Sequence, residues 1–434
     1  MNLKHKKILI LSTGDVNGAY EAMYKIACIL KSMNHDVVLC VKNKTKTDDF
    51  IIEYNNTKTV SRIRRIFFHT IQSILYKVKL KQVLLIDSKY GFFSKDEKSE
   101  NINADHLIKK IGFIPEFIFT GMTIDFLNST DLLNIYNKTG AEVYNITVDM
   151  NHFTGGCHFS WGCEGYIYGC SDTCPAILNE DQKLLAKQNF DIKYKNAQKA
   201  NFKVIAGSGL TLEQAEMSKI YKNQDIIYNV NSLIDTELLS PRNRKVAKQI
   251  FNFEKDKFYI LSGAQNMNDL RKGFKYLLEA LSILEATIRS EDLEKIVIVV
   301  VSNEVSNEFE KLKFKKHKIN YIKDYRLLSL LYQATDLYVN SSIEDSGPMM
   351  VSEALACGTP VVGFDTGVIT NMVIDDYNGY KIPMANSHKL AEGILKILKL
   401  NTEQYQMFSD NAVKQVKEYS SFEYAKEIFS KILN

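Results

Sequence analysis

The chain has 434 residues, 45% of them hydrophobic and 24% charged, with a formal net charge of +4. At about 100–200 residues per domain this length holds two or three domains. The composition excludes a disordered chain, which would be poorer in apolar residues and richer in net charge. So small a positive surplus also excludes the strongly basic balance of a nucleic-acid binder.

In the opening segment KHKKILILSTGD, only Ile8 to Leu11 are apolar before a polar turn. A secretory leader needs about 7–15 apolar residues, so this segment reads as a first β-strand. The longest apolar runs, such as Ile296 to Val301, fall short of the ~18 residues of a membrane span. The protein is therefore expected in the cytoplasm. Strands follow at 36–41, 117–120, 143–147, 203–208 and 226–231, with helices at 19–33 and 125–138. The pattern then restarts with a strand at 258–264, a helix at 273–288, and strands at 296–301, 320–325, 337–342 and 360–364. The last 30 residues read as two charged amphipathic helices.

Short apolar strands alternating with amphipathic helices predict parallel sheets covered on both faces. The expected fold is α/β, with two Rossmann-like doubly wound domains facing across a cleft. The first domain is placed at 1–235, with a cysteine-rich insertion at 149–178, and the second at 236–415. The C-terminal helix, 416–434, is expected to return to the first domain. Polar residues around Pro241 put the hinge near 232–245. Ligands in such sheets bind beyond the carboxyl ends of the strands, which singles out the loops after Ser12, Ala264 and Ile343.

The segment SSIEDSGPMMVSEALACGTPVVGFDTG (341–367) carries the most chemistry. A strand ends near Ser342, a loop of Glu344, Asp345, Ser346 and Gly347 follows, and Pro348 suits a first helical position. Gly358 is the C-terminal stop, and free N–H groups at the helix start can bind phosphate or sugar oxygens. Glu353 stands in an otherwise small and apolar helix, where burying a carboxylate is costly unless something uses it. With Asp345 eight residues earlier, two carboxylates can grip two parts of one hydroxyl-rich ligand. The plainer alternative is a helix-capping Asp345 and a solvent-facing Glu353.

An acid, seven residues, Glu, then ALACGTPVV and a glycine-containing loop resembles the donor motif of the family-four retaining glycosyltransferases. These are GT-B-fold enzymes, many of which build capsule and lipopolysaccharide. The resemblance implies that Glu353 binds the nucleotide ribose and Asp345 the donor sugar hydroxyls, within a loop completed by Ser346 and Gly347. The family usually has Glu at the first position, so Asp345 is a departure and Glu344 beside it an alternative. A second match, SGAQNMNDLRKGFKYLLEAL (262–281), implies that Lys272, followed by Gly273, contacts the donor diphosphate. Arg271 stands in for an arginine that often follows the strand glycine in the family, where this chain has Ala264 and Gln265. Taken alone, these cations read as a solvated basic helix start. VNSLIDTELLSP (230–241) and LLSLLYQATDLYVNSS (327–342) resemble the family's crossover and the approach to the donor loop. In STGDVNGAYEA (12–22), Gly18 would let substrate approach the backbone. Residues 42–115 match least.

The resemblance implies a hexosyltransferase-type enzyme with an N-terminal acceptor domain and a C-terminal donor domain. It would move a sugar from a nucleotide-diphosphate donor to a glycan or polyprenyl-linked acceptor in surface polysaccharide biosynthesis. Transfer would be a front-face displacement that requires no cofactor for chemistry, with Asp345, Lys272, Arg271 and Asp149 as catalytic residues. Many family members carry His–Asp after the strand preceding the cysteine segment, and here Val148 and Asp149 stand there. His152 lies three residues beyond. The missing histidine is the feature that favours a catalytically degraded nucleotide-sugar-binding protein. A nucleotide-sugar epimerase of similar fold is the other alternative.

Four of the seven cysteines fall in DMNHFTGGCHFSWGCEGYIYGCSDTCPAIL (149–178), which resembles TGGCH-containing loops in a subgroup of bacterial capsule glycosyltransferases. Cys157, Cys163, Cys170 and Cys174 can give a closed tetrahedral zinc site. A reducing compartment favours metal over disulfides. His158, or less readily His152, can replace one ligand. The alternatives are reduced core cysteines or redox-labile thiols. Cys28, Cys40 and Cys357 lie in apolar surroundings and read as small core residues.

Residues 54–86 contain no Asp or Glu and carry Lys58, Arg62, Arg64, Arg65, Lys77, Lys79 and Lys81 among apolar residues at roughly helical spacing. A basic amphipathic helix of this kind can lie on an anionic membrane surface, which would make the protein peripheral at the inner face of the cell membrane. The alternative is a core-packing helix with a solvated basic face.

Overall fold

The computed structural model describes residues 4–16, 18–54, 83–94, 96–264, 266, 268–302 and 306–434. The basic segment 55–82 lies outside them. The chain forms two compact units. One comprises residues 1–205, 214–227 and 433–434, and the other residues 206–213 and 228–432.

The first sheet contains β1 (Lys7–Ser12), β2 (Asp36–Val41), β3 (Ile51–Glu53), β4 (Phe117–Thr120), β5 (Glu142–Thr147), β6 (Lys203–Ala206) and β7 (Tyr228–Asn229), in the order β3-β2-β1-β4-β5-β6-β7. The second contains β8 (Phe258–Gly263), β9 (Ile296–Val301), β10 (Lys315–Ile319), β11 (Leu337–Asn340), β12 (Val361–Phe364) and β13 (Gly379–Ile382), in the order β10-β9-β8-β11-β12-β13. Both are doubly wound, with the reversal beside the first strand of each, and β1 and β8 pair in parallel with both neighbours. This is the expected pair of Rossmann-like domains. The continuous apolar runs follow from burial on both faces. Ile296, Ile298 and Val300 enter one core with Phe274 and Leu277, while Val297, Val299 and Val301 enter another with Val351 and Leu355.

The chain departs from the sequence expectations in four places. The strand expected at 320–325 lies instead at Lys315–Ile319. Three lysines on this edge strand masked its pattern; such charges suit an edge. Asp324 then caps the Tyr325–Ala334 helix through Arg326 N and Leu327 N. β3 and β13 were missed because they are short edge strands. Gly379 is needed in β13, since a Cβ there would stand 1.8 Å from the Val361 carbonyl oxygen. The helix expected from 125 begins at Ser129, where Asn128 and Asp131 form a capping box. Asp125 has a φ of +55°, off the helical path.

The cysteine segment joins the main core of the first unit through Met150 and Phe153, with Tyr166 and Cys170 packed against it. Tyr90, Phe92, Cys174, Ala176, Ile177 and Ala186 form a separate small cluster beneath the segment. Cys40 and Cys357 are buried as expected, whereas Cys28 is only partly so.

Candidate functional site

In the second unit, the loops after β8 and β11 leave the sheet where the strand order reverses, the usual ligand position in a doubly wound sheet. Backbone bonds fasten the two loops together: Ile343 N donates to Arg271 O at 2.7 Å and Glu344 N to the same oxygen at 3.3 Å. Ser341 Oγ donates to Lys272 O at 2.9 Å. Gly273 permits this approach. Its φ is +58°, and a Cβ there would meet Ser341 O at 2.0 Å.

This stitching brings together residues 73 positions apart. Lys272 Nζ donates to Asp345 Oδ2 at 2.5 Å. Burial alone would raise the Asp345 carboxyl, but the Lys272 ion pair, the Gly347 N–H at 3.2 Å and the nearby Arg271 charge hold it below the usual carboxylate range. Asp345 is thus an ion-pair partner and turn former, and the Met349–Ala356 helix has no side-chain cap. Lys272 is partly buried rather than a solvated helix start. Arg271 is turned onto Asp269, with Nε at 3.1 Å from Oδ1 and Nη2 at 2.5 Å from Oδ2. Ser346 is buried, and the space beside the Gly347 Cα is open.

Glu353 is 3% exposed, which overturns the solvent-facing alternative. Tyr332 Oη donates to Glu353 Oε2 at 2.8 Å. Burial and this carboxylate raise the Tyr332 hydroxyl well above its ordinary pKa. Tyr338 lies within electrostatic reach of both Glu353 and Asp345. Tyr332 was missed in the sequence, where LLSLLYQATD reads as ordinary helix. The available signal was a hydroxyl at a core position five residues before the strand that leads into the donor loop.

In the first unit, Asp149 is buried and contacts His158, with Oδ2 2.6 Å from Nδ1. Asn151 N donates to Asp149 Oδ1 at 2.8 Å, and Asn151 Nδ2 lies 3.2 Å from His158 Nε2. Burial would raise Asp149, but His158 and the Asn151 N–H hold it below the usual carboxylate range. His152 does not contact Asp149 in this way; its Nε2 lies 3.1 Å from Gly121 O. Burial, with Lys193 nearby, pushes His152 down to about 4. His152, Asn145, Lys193 and Tyr221 line a cavity of about 170 Å³ in this unit. Gly18, exposed and at a φ of +47°, opens the Gly18–Ser32 helix. Two residues on, Tyr20 feels the Asp149 charge.

Both ring nitrogens of His158 are thus engaged, which removes it as a ligand for the cysteine segment. Cys157, Cys163, Cys170 and Cys174 are free thiols. Among the described residues, no three His, Cys, Asp or Glu side chains already converge to hold a metal ion. No helix among the described residues is long and apolar enough to cross a membrane.

Residues 243–415 match the family described as Glycosyl transferases group 1. An uncharacterized glycosyltransferase of Haemophilus influenzae is 24% identical over 350 residues, covering 76% of this chain and 96% of that protein. One of Methanocaldococcus jannaschii is 25% identical over 177 residues, covering 38% of this chain and 43% of that protein. The structure of Anabaena HepE in complex with UDP-glucose covers 99% of both chains at a TM-score of 0.60 and 13% identity, a likeness of fold. Residues 243–415 thus match the group 1 glycosyltransferase family, in a chain whose two α/β units share the fold of such GT-B structures.

Proposed function

We propose that this protein is a retaining hexosyltransferase that moves a sugar from a nucleotide-diphosphate donor to a hydroxyl of a glycan or lipid-linked acceptor in surface polysaccharide biosynthesis. The observation that carries the reading is the Lys272–Asp345 ion pair where the second sheet reverses, with buried Glu353 in the helix that follows. A cation and two acids suit a ligand that joins a diphosphate to hydroxyl-rich rings. UDP-glucose in the HepE structure supports the donor class.

In this reading Lys272 binds the diphosphate, Asp345 orients sugar hydroxyls and Glu353 accepts from the ribose. The bond between the anomeric carbon and the leaving phosphate oxygen breaks as the acceptor oxygen bonds to the same face. The acceptor proton passes to the departing phosphate. The chain supplies positioning and charge stabilisation. Lys272 offsets charge growing on the leaving group, and Arg271 joins it by exchanging Asp269 for phosphate, to which its planar fork is matched. Asp149, held by His158, is a further catalytic residue, and Gly18 leaves room for the donor near the backbone. The chemistry requires no cofactor.

The test incubates the protein with a panel of nucleotide sugars, including UDP-glucose, and a polyprenyl-linked acceptor, and assigns the product anomer by NMR. Transfer with retained configuration is expected. An inverted product overturns the mechanism, and epimerised donor without transfer overturns the activity. Binding without turnover on any acceptor would favour a nucleotide-sugar-binding protein.

A further inference from the structure

The residues from 154 to 183 form an unusual stretch of the first unit. Their regular structure is a single helical turn at Gly165–Tyr168 and a 3₁₀ turn at Glu180–Gln182. The apolar cluster beneath is small, with six buried residues, and beyond it the segment reaches the main core through Tyr166 and Cys170. Segments of this kind are ordinarily stapled by disulfides or by a metal.

The four thiols gather at this place. Cys157 and Cys174 lie side by side, and Cys163 and Cys170 lie within electrostatic reach of Cys157. A Cβ on Gly165 would stand 3.3 Å from Cys170 Sγ and 3.5 Å from Cys163 Sγ, so both sulfurs flank this one glycine. Backbone N–H groups also point at the sulfurs. Gly155 N donates to Cys170 Sγ at 3.3 Å, and the Ala176 and Ile177 N–H groups lie near Cys174. Neutral thiols are weak acceptors, whereas a metal-bound thiolate gains from such donors. Lys183 lies near Cys174 and Lys193 near Cys170, which offsets negative charge at the cluster.

We infer that Cys157, Cys163, Cys170 and Cys174 bind one zinc ion as a four-thiolate structural site that staples residues 154–183. On binding, the four thiols release four protons and four sulfur–zinc bonds form, leaving a site of net charge −2 beside the two lysines and the N–H donors. The thiols are gathered but not yet closed on one point. Closure requires their side chains to turn inward until each sulfur is about 2.3 Å from the ion. Four protein ligands leave no open position, so the site is structural rather than catalytic.

The chain carries its own reporter. Trp161, its one tryptophan, packs on the small cluster, and its indole N–H donates to Lys89 O at 2.8 Å. The test uses the full chain purified without chelator or added metal. Elemental analysis should find about one zinc per chain. Release by a mercurial reagent should shift Trp161 emission, and zinc added after a thiol should restore it. Cobalt(II) in place of zinc should give thiolate charge-transfer absorption. The Cys170→Ser, Cys174→Ser variant should lose the zinc; if it does not fold, the metal content and emission of the unaltered protein decide. Metal-free protein with four thiols that titrate in the native state overturns the inference, as do two disulfides or iron in place of zinc.

Discussion

Tyr332 Oη donates to Glu353 Oε2 at 2.8 Å between two buried side chains, one on the helix before β11 and the other on the helix after it. The bond fixes one carboxylate oxygen of the acid assigned to the donor ribose. Tyr332→Phe should therefore keep the fold and weaken nucleoside diphosphate binding by about 1 kcal/mol, close to fivefold. Glu353→Ala removes a charged hydrogen-bond partner and should cost about 1.5–3 kcal/mol. Calorimetric titration with UDP, GDP and ADP tests both. Unchanged affinity in Glu353→Ala would remove this acid from the site.

The Lys272–Asp345 pair yields a prediction that separates stability from activity. Lys272→Met leaves the buried Asp345 carboxylate without its main partner, at a cost of about 1–3 kcal/mol. Adding Asp345→Asn should recover most of that loss, while donor binding and transfer stay defective in both variants. Asp345 has its folded pKa lowered by the pair, so the stabilisation is present above the ordinary carboxylate pKa of about 4 and is lost on acidification below it. The stability gap between wild type and Lys272→Met in urea should accordingly narrow as the pH falls. A Lys272→Met protein as stable as wild type at pH 7 would contradict the ion-pair argument.

Much of the site was legible because the donor residues sit in local motifs. Glu353 stood out as an acid in MMVSEALA, and Lys272 preceded a glycine at a helix start. What could not be read was the distance between elements. Lys272 and Asp345 are 73 residues apart, and their contact depends on the order of β8 and β11. The buried environment of Glu353 and the hydroxyl of Tyr332 share that origin. The partner of Asp149 was not legible either: the loop folds back and delivers His158, nine residues on, to its carboxylate. The sheets were legible in their buried strands, where apolar runs are continuous. They were lost at the edges, where Lys315, Lys316 and Lys318 obscure β10.

His152 should make stability fall on mild acidification. Its folded pKa of about 4 lies below the ordinary value of about 6.5. The unfolded chain therefore takes up a proton between those values while the folded chain does not. Stability is complete above about 6.5 and declines as the pH falls toward 4. His152→Gln removes this contribution, so its urea midpoint should change less than that of wild type between pH 7.5 and 5. Equal changes in the two proteins would show that His152 is not held neutral by its surroundings.

The last prediction concerns the membrane and rests on residues outside those the structure describes. Between positions 54 and 86 there is no acidic residue, while Lys58, Arg62, Arg64, Arg65, Lys77, Lys79 and Lys81 alternate with Ile63, Ile66, Phe67, Ile71, Ile74, Leu75 and Val78. Each basic side chain near an anionic surface is worth about 1 kcal/mol, and the apolar residues add burial in the interface. The described chain that follows is consistent with a partly apolar landing surface. Val83 and Leu85 are exposed, and Leu178, bonded through its N–H to Leu85 O at 2.8 Å, is exposed beside them. A lipid-linked acceptor would place the enzyme at such a surface. Wild-type protein should therefore float with phosphatidylglycerol vesicles at low salt and be released as salt screens the attraction. Changing Arg62, Arg64 and Arg65 together to Glu should abolish flotation and leave transfer to a soluble acceptor intact. Wild-type protein that stays in the soluble fraction at low salt would refute membrane docking while leaving the donor site untouched.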